Sequence, residues 1–183
     1  MYIFIFGRDD QLSKLELFQY LRRKRVSFSV KDNGFRYLIF DSLSNKDEDL
    51  LQEMINDLGG TVRIGKVIDY QTELTPDSLE KLEIYENKFS FSISTINLDE
   101  KEYGAIERTC KNYFKSLKFK VTFKRNDVKN DLFNVIDPSG YFSWNLNTGL
   151  ELLIIKANEK YYLCKSIACF NPKINIKKDN QRP

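Results

Sequence analysis

The chain has 183 residues, 42% hydrophobic and 30% charged, a globular balance sized for one domain or two small ones. It holds no histidine, which removes the commonest general base and metal ligand, and its apolar runs fall far short of the roughly 20 residues that span a bilayer. The net charge of +3 is unevenly placed: residues 1–75 carry 11 Lys+Arg against 12 Asp+Glu, a balance of −1, and residues 76–183 carry 18 against 14, a balance of +4.

Tyr2–Phe6 reads as a buried strand. Arg8, Asp9 and Asp10 follow it at once, and neither a basic leader nor a small-residue cleavage site marks it as a signal peptide. Ser13 and Glu16 have the spacing of a capping box, and Leu12, Leu15, Phe18 and Leu21 then repeat at helical spacing. Arg22-Arg23-Lys24-Arg25 closes this helix, where cations compensate its dipole or touch an RNA backbone. Val26–Val30 and Phe35–Phe40 are β-prone and flank Lys31-Asp32-Asn33-Gly34, in which Asn-Gly is a strong hairpin signal. Asn45 and Glu48 repeat the capping pattern. Leu50, Leu51, Met54, Ile55 and Leu58 form an apolar helical face, with Gly59 as its C-cap. Val62–Tyr70 closes the series as a strand. The order β-α-β-β-α-β within about 70 residues predicts a ferredoxin-like domain over residues 1–75.

The pattern resets at Thr75-Pro76, where Pro suits a helix start, and a short helix to about Tyr85 is expected. Lys88–Ile96 alternates Phe89, Phe91 and Ile93 against Lys88, Ser90, Ser92 and Ser94, as a half-buried strand does. Asp99 opens an amphipathic helix with Glu100 and Glu102 in its first turn. At about 100° per residue, Tyr103, Ile106, Cys110, Tyr113, Phe114 and Leu117 share one side, and Arg108, Lys111, Lys115 and Lys118 the other. Lys120, Lys124, Arg125 and Lys129 continue the run, with Asp127 as its single acid. A merely solvated helix mixes signs, so this one-signed stretch is the footprint of a phosphate-binding surface. Lys118–Phe123 alternates as a strand, and residues 126–134 read as a loop. Strands are then expected over Tyr141–Asn147, Glu151–Lys156 and Tyr161–Phe170, with turns at Asn147-Thr148-Gly149 and Ala157-Asn158-Glu159. Tyr141, Phe142 and Trp144 are read as core aromatics before base-stacking ones. Asn171–Pro183, with Lys173, Lys177, Lys178 and Arg182, reads as a tether. The whole is an α+β protein.

No motif carries catalysis. There is no G-x-G-x-x-G and no phosphate loop. Cys110, Cys164 and Cys169 fit neither a disulfide framework nor a zinc site and are read as core residues of a cytoplasmic protein. The acids of Asp47-Glu48-Asp49 and Asp99-Glu100 sit in first helical turns, where they complement the helix dipole. Catalytic, cofactor-binding and metal-ligating residues are therefore expected to be none.

Four segments taken in order resemble the N-terminal part of the tRNA guanosine N2-methyltransferases that act at position ten. They are Tyr2–Arg8 with Leu12–Leu17, Leu58–Val67, Tyr161–Ala168 with Asn171-Pro172, and Lys178–Pro183. The resemblance covers essentially the whole chain. It implies a THUMP RNA-binding domain over residues 76–170 and a linker over 171–183, leading to a methyltransferase domain that uses S-adenosylmethionine. No Asp/Asn-Pro-Pro-aromatic motif of that catalytic domain is found; Asn171-Pro172 is followed by Lys173. The implied partners are tRNA, held at its acceptor end, and a methyltransferase domain in cis or in trans, with no membrane. The implied RNA contacts are Arg108, Lys111, Lys115, Lys118, Lys120, Lys124, Arg125 and Lys165. The same module serves thiouridine and pseudouridine synthases, and a stand-alone adaptor that meets an acidic protein is the rival from another class.

Overall fold

Five consecutive apolar residues, Tyr2–Phe6, form β1, and all five are buried. A strand can bury both faces only at the centre of a sheet, and β1 lies there, antiparallel to β3 (Tyr37–Leu43) on one side and β4 (Thr61–Gln71) on the other. The computed structural model of the protein describes residues 1–7, 9–43, 48–124 and 149–170. Among these are eight strands and four helices, an α+β architecture. They divide into two compact units: residues 1–66 with 167–170, and residues 67–124 with 149–166. The division falls at Lys66/Val67, inside the 11-residue β4, and not at the Thr75-Pro76 reset. Both β4 and β8 (Lys160–Cys169) are long enough to contribute residues to each unit.

In the first unit the strands run in the order β2-β3-β1-β4, with β2 spanning Phe28–Gly34, and every pairing described is antiparallel. With helices α1 (Asp10–Arg23) and α2 (Glu48–Asp57), this is the ferredoxin-like order expected from the sequence. Phe4, Phe6, Leu17, Leu21, Phe40, Leu51, Met54 and Ile55 fill the core between helices and sheet. Beside β4, the Phe170 amide donates to the Val62 carbonyl, and Ala168 joins the same core.

Two local expectations are corrected. The α1 cap is Asp9, whose carboxylate accepts from the Leu12 amide at 2.9 Å; Ser13 is buried one turn further on. The inward stripe is therefore Ser13, Leu17, Tyr20 and Leu21, while Leu12 and Leu15 are 61% and 55% exposed. Glu16, freed from any capping box, accepts from the Gly59 and Gly60 amides at 2.9 Å each. Gly60 is required there, since a Cβ would lie 2.2 Å from the Ser13 hydroxyl oxygen. The second correction is the hairpin. Asn33-Gly34 stays in β2, and the chain reverses at Phe35-Arg36, because two register shifts in β2 carry the pairing on to Gly34↔Tyr37. Asn45, the expected α2 cap, lies outside the described residues.

In the second unit the order is β8-β7-β5-β6. Strands β5 (Lys88–Ile96) and β6 (Lys120–Phe123) are parallel and joined through helix α4 (Glu100–Ser116). Strand β7 (Gly149–Ala157) runs parallel to β5 and antiparallel to β8. Asn158 and Glu159 turn β7 into β8 with positive φ at both residues, as a tight hairpin demands. The short helix α3 (Pro76–Glu80) ends sooner than expected. Phe89, Phe91, Ile106, Cys110, Phe114, Leu152 and Ile154 make the second core. The serine face of β5 is also covered: Ser92 and Ser94 are buried, and Ser94 donates to the buried Glu151 at 2.7 Å. A strand with parallel partners on both edges is buried on both faces, which the alternation of Ser with Phe does not announce.

Candidate nucleic-acid interface

Helix α4 is positioned at both ends by its own sequence. Asp99 accepts from the Glu102 amide at 2.7 Å, and Glu102 accepts from the Asp99 amide at 3.0 Å, a reciprocal capping box. Glu102 also accepts from Lys156 Nζ at 2.6 Å and Tyr161 Oη at 2.7 Å, tying the helix start to β7 and β8. Those hydrogen bonds, Lys156's first, bring the Glu102 carboxyl down to about 2. At the other end Leu117 caps the helix, and Lys118 reverses the chain at φ 59°, donating its amide to the Lys115 carbonyl.

Ile106, Cys110 and Phe114 face the sheet, so the opposite face of α4 is fixed. It carries Arg108, Lys111 and Lys115, all exposed, as the periodicity predicts. Lys101, also exposed, shares that face at helical spacing from Arg108 and is a candidate the sequence reading missed. Its signal was present, two residues after the cap, but is masked by Glu100 and Glu102 on either side. Lys111 is partly compensated: it pairs with Glu107 at 2.5 Å, and its ammonium lies 4.2 Å from the Phe123 ring centroid. Arg108 and Lys115 are thus the stronger candidates for an anion contact.

The seven candidates among the described residues do not form one surface. Val121 and Phe123 pack toward α4, so strand alternation turns Lys120 and Lys124 to the other side of the sheet, where both are exposed. There Lys120 stands in register with Lys88 of β5, a second residue missed because 32 positions separate the two in the chain. Lys118, exposed at the reversal, stands between the two groups in sequence. Lys165 is half-buried on β8, opposite Leu152, three strand positions and so about 14 Å from the β6 edge. Arg125, Lys129, Tyr141, Phe142, Trp144 and the segment 171–183 lie outside the described residues.

Burial pushes the Cys110 thiol up to about 12 and the Cys164 thiol up as well, so both stay protonated. Among the described residues no three His, Cys, Asp or Glu side chains gather as a metal site, and no helix is long and apolar enough to cross a membrane.

No family model and no curated protein matches the sequence. Among solved structures, the crystal structure of PH1313 from Pyrococcus horikoshii Ot3 is similar, with a TM-score of 0.50 at 12% identity, over 90% of this chain and 53% of that one. This chain therefore spans about half the length of that protein, and what the two share is the α+β fold.

Proposed function

We propose that this chain is the tRNA-gripping part of a tRNA-modifying enzyme. In this reading the second unit is a THUMP domain that holds the acceptor end through the outer face of α4. The ferredoxin-like unit acts as spacer and orienting platform. A methyltransferase domain in cis or in trans, using S-adenosylmethionine, makes the bond at guanine N2. The chain contributes recognition and no catalytic group.

The observation that carries the reading is the predominantly basic outer face of α4, with Lys101, Arg108, Lys111 and Lys115 exposed along it, Glu107 as the acid paired with Lys111, and Lys118 at its end. Lysines and arginine at one- and two-turn spacing match a phosphate backbone, which is read by charge and shape without base-edge contacts. The segment resemblances to the position-ten methyltransferases choose tRNA among RNAs and N2-methylation among reactions. Titration of tRNA across a salt series tests the proposal. Each phosphate contact contributes about −0.7 to −0.9 to the log–log slope, so a grip by three or four cations gives a slope of about −2 to −4. A flat response would exclude phosphate recognition.

A further inference from the structure

The tip of the β2–β3 hairpin presents a large aromatic ring to solvent on a fastened backbone. Phe35 is 65% exposed. The Arg36 guanidinium lies 4.9 Å from its ring centroid. The backbone beneath is fastened from several directions. Asp10 accepts from the Arg36 amide at 2.9 Å and pairs with Lys14 at 2.8 Å. Lys14 also donates to the Gly34 carbonyl at 2.7 Å, and the Phe6 amide donates to the Arg36 carbonyl at 2.9 Å. The turn is thereby bound to the start of α1 and the end of β1.

Arg36 occupies this turn at φ 64°, in the left-handed region that glycine fills without strain. An arginine in that place sets a guanidinium against the ring, which glycine would not do. A ring with a cation near it and most of its surface in water is a platform for one further flat π-system. Its neighbours in the chain, Asp32, Asn33, Gly34 and Arg36, are polar or small, so the hairpin tip itself offers one apolar ring. The area offered is that of a single ring, which matches one base.

We infer that Phe35, backed by Arg36, is a stacking site for an unpaired RNA base. The inference rests on the proposed RNA-binding function but uses the first unit and not the lysine-rich helix of the second. A turn whose backbone is already fastened loses little loop entropy on binding, so more of the stacking energy is retained in affinity.

The test compares two RNA probes on the full 183-residue protein: a blunt duplex, and the same duplex with an unpaired 3′ tail carrying 2-aminopurine. The wild type is expected to bind the tailed RNA more tightly and to change the 2-aminopurine fluorescence. Phe35→Ala and Phe35→Leu should each weaken tailed binding about tenfold, abolish that change and leave blunt-duplex binding alone, while Phe35→Trp retains both. Leu keeps the apolar bulk without the π-face, so it separates stacking from surface loss. Arg36→Gly should weaken tailed binding while preserving the turn. Wild-type affinity and fluorescence response in both Phe35→Ala and Phe35→Leu would overturn the inference and leave the proposed function standing. Failure of the wild type to bind either RNA would overturn both. A co-purifying protein lost only on Phe35→Ala, with RNA binding unchanged, would overturn it in favour of a protein contact.

Discussion

Arg108, Lys111 and Lys115 have the same formal charge but different surroundings. Lys111 is engaged by Glu107 and the Phe123 ring, whereas Arg108 and Lys115 are exposed on the same face. Charge reversal at Lys115 should therefore lower tRNA affinity more than reversal at Lys111, and a titration of the two single variants ranks them. Equal losses would mean that the Glu107 pair opens on binding. Lys118 is a second case in which position matters beyond charge. Its left-handed backbone costs about 1 kcal/mol in a residue with a Cβ. Lys118→Gly should raise the urea midpoint by a corresponding amount while weakening RNA binding, so stability and function move in opposite directions. At this scale the sequence was legible where a side chain answers to its own helix and misleading where it answers to a distant partner. Glu16 has the spacing for a local cap, yet its carboxylate serves amides 43 and 44 residues away. Nothing near Glu16 in the chain announces Gly59 and Gly60.

Helix α4 was largely legible: Asp99 marks its start, and the buried Ile106, Cys110 and Phe114 and the basic face follow from a 3.6-residue period, whereas Leu117, expected on the apolar side, is the C-cap and 43% exposed. The hairpin was not, because Asn33-Gly34 is a strong local turn signal that pairing register and the Asp10–Lys14 clasp override. The basic run past Lys118 was misread as one surface because the period changes from helix to strand, and alternation then turns Lys120 and Lys124 away from α4. Two predictions belong to α4 as an element. Gly104 lies inside the helix, where a Cβ would meet only Arg108 Nη1 at an ordinary 3.8 Å. Gly104→Ala should therefore stabilise by about 0.5–1 kcal/mol in urea unfolding, on helix propensity alone. The helix start carries a pH dependence. Glu102 is held at about 2, below the 4.5 of a free side chain, so its stabilisation is complete above 4.5 and is lost as pH falls toward 2. Glu102→Gln should flatten the loss of stability between pH 4.5 and 2 while lowering stability at neutral pH. An unchanged acid profile would show that the contacts with Lys156 and Tyr161 contribute nothing in solution.

For the molecule as a whole, the two units divide the labour that the proposed function requires. The ferredoxin-like unit has a full core and an antiparallel sheet, and the second unit carries the basic helix on a separate core. In the proposed function this scaffold grips RNA and leaves chemistry to another domain. The isolated chain is accordingly expected to give no heat on titration with S-adenosylmethionine and to methylate nothing. The fold class could be read from element order, since β-α-β-β-α-β in so short a span leaves few arrangements. The division inside β4 could not, because composition marks the turn at Thr75-Pro76 and not the middle of a continuous strand. The most direct test of the central claim is tRNA affinity of the Arg108→Glu/Lys115→Glu double variant against the wild type over a range of salt. The expected result is a loss of at least tenfold at low salt and a log–log slope shallower by about 2, with an unchanged circular dichroism spectrum. Wild-type affinity and slope in a folded double variant would contradict the account.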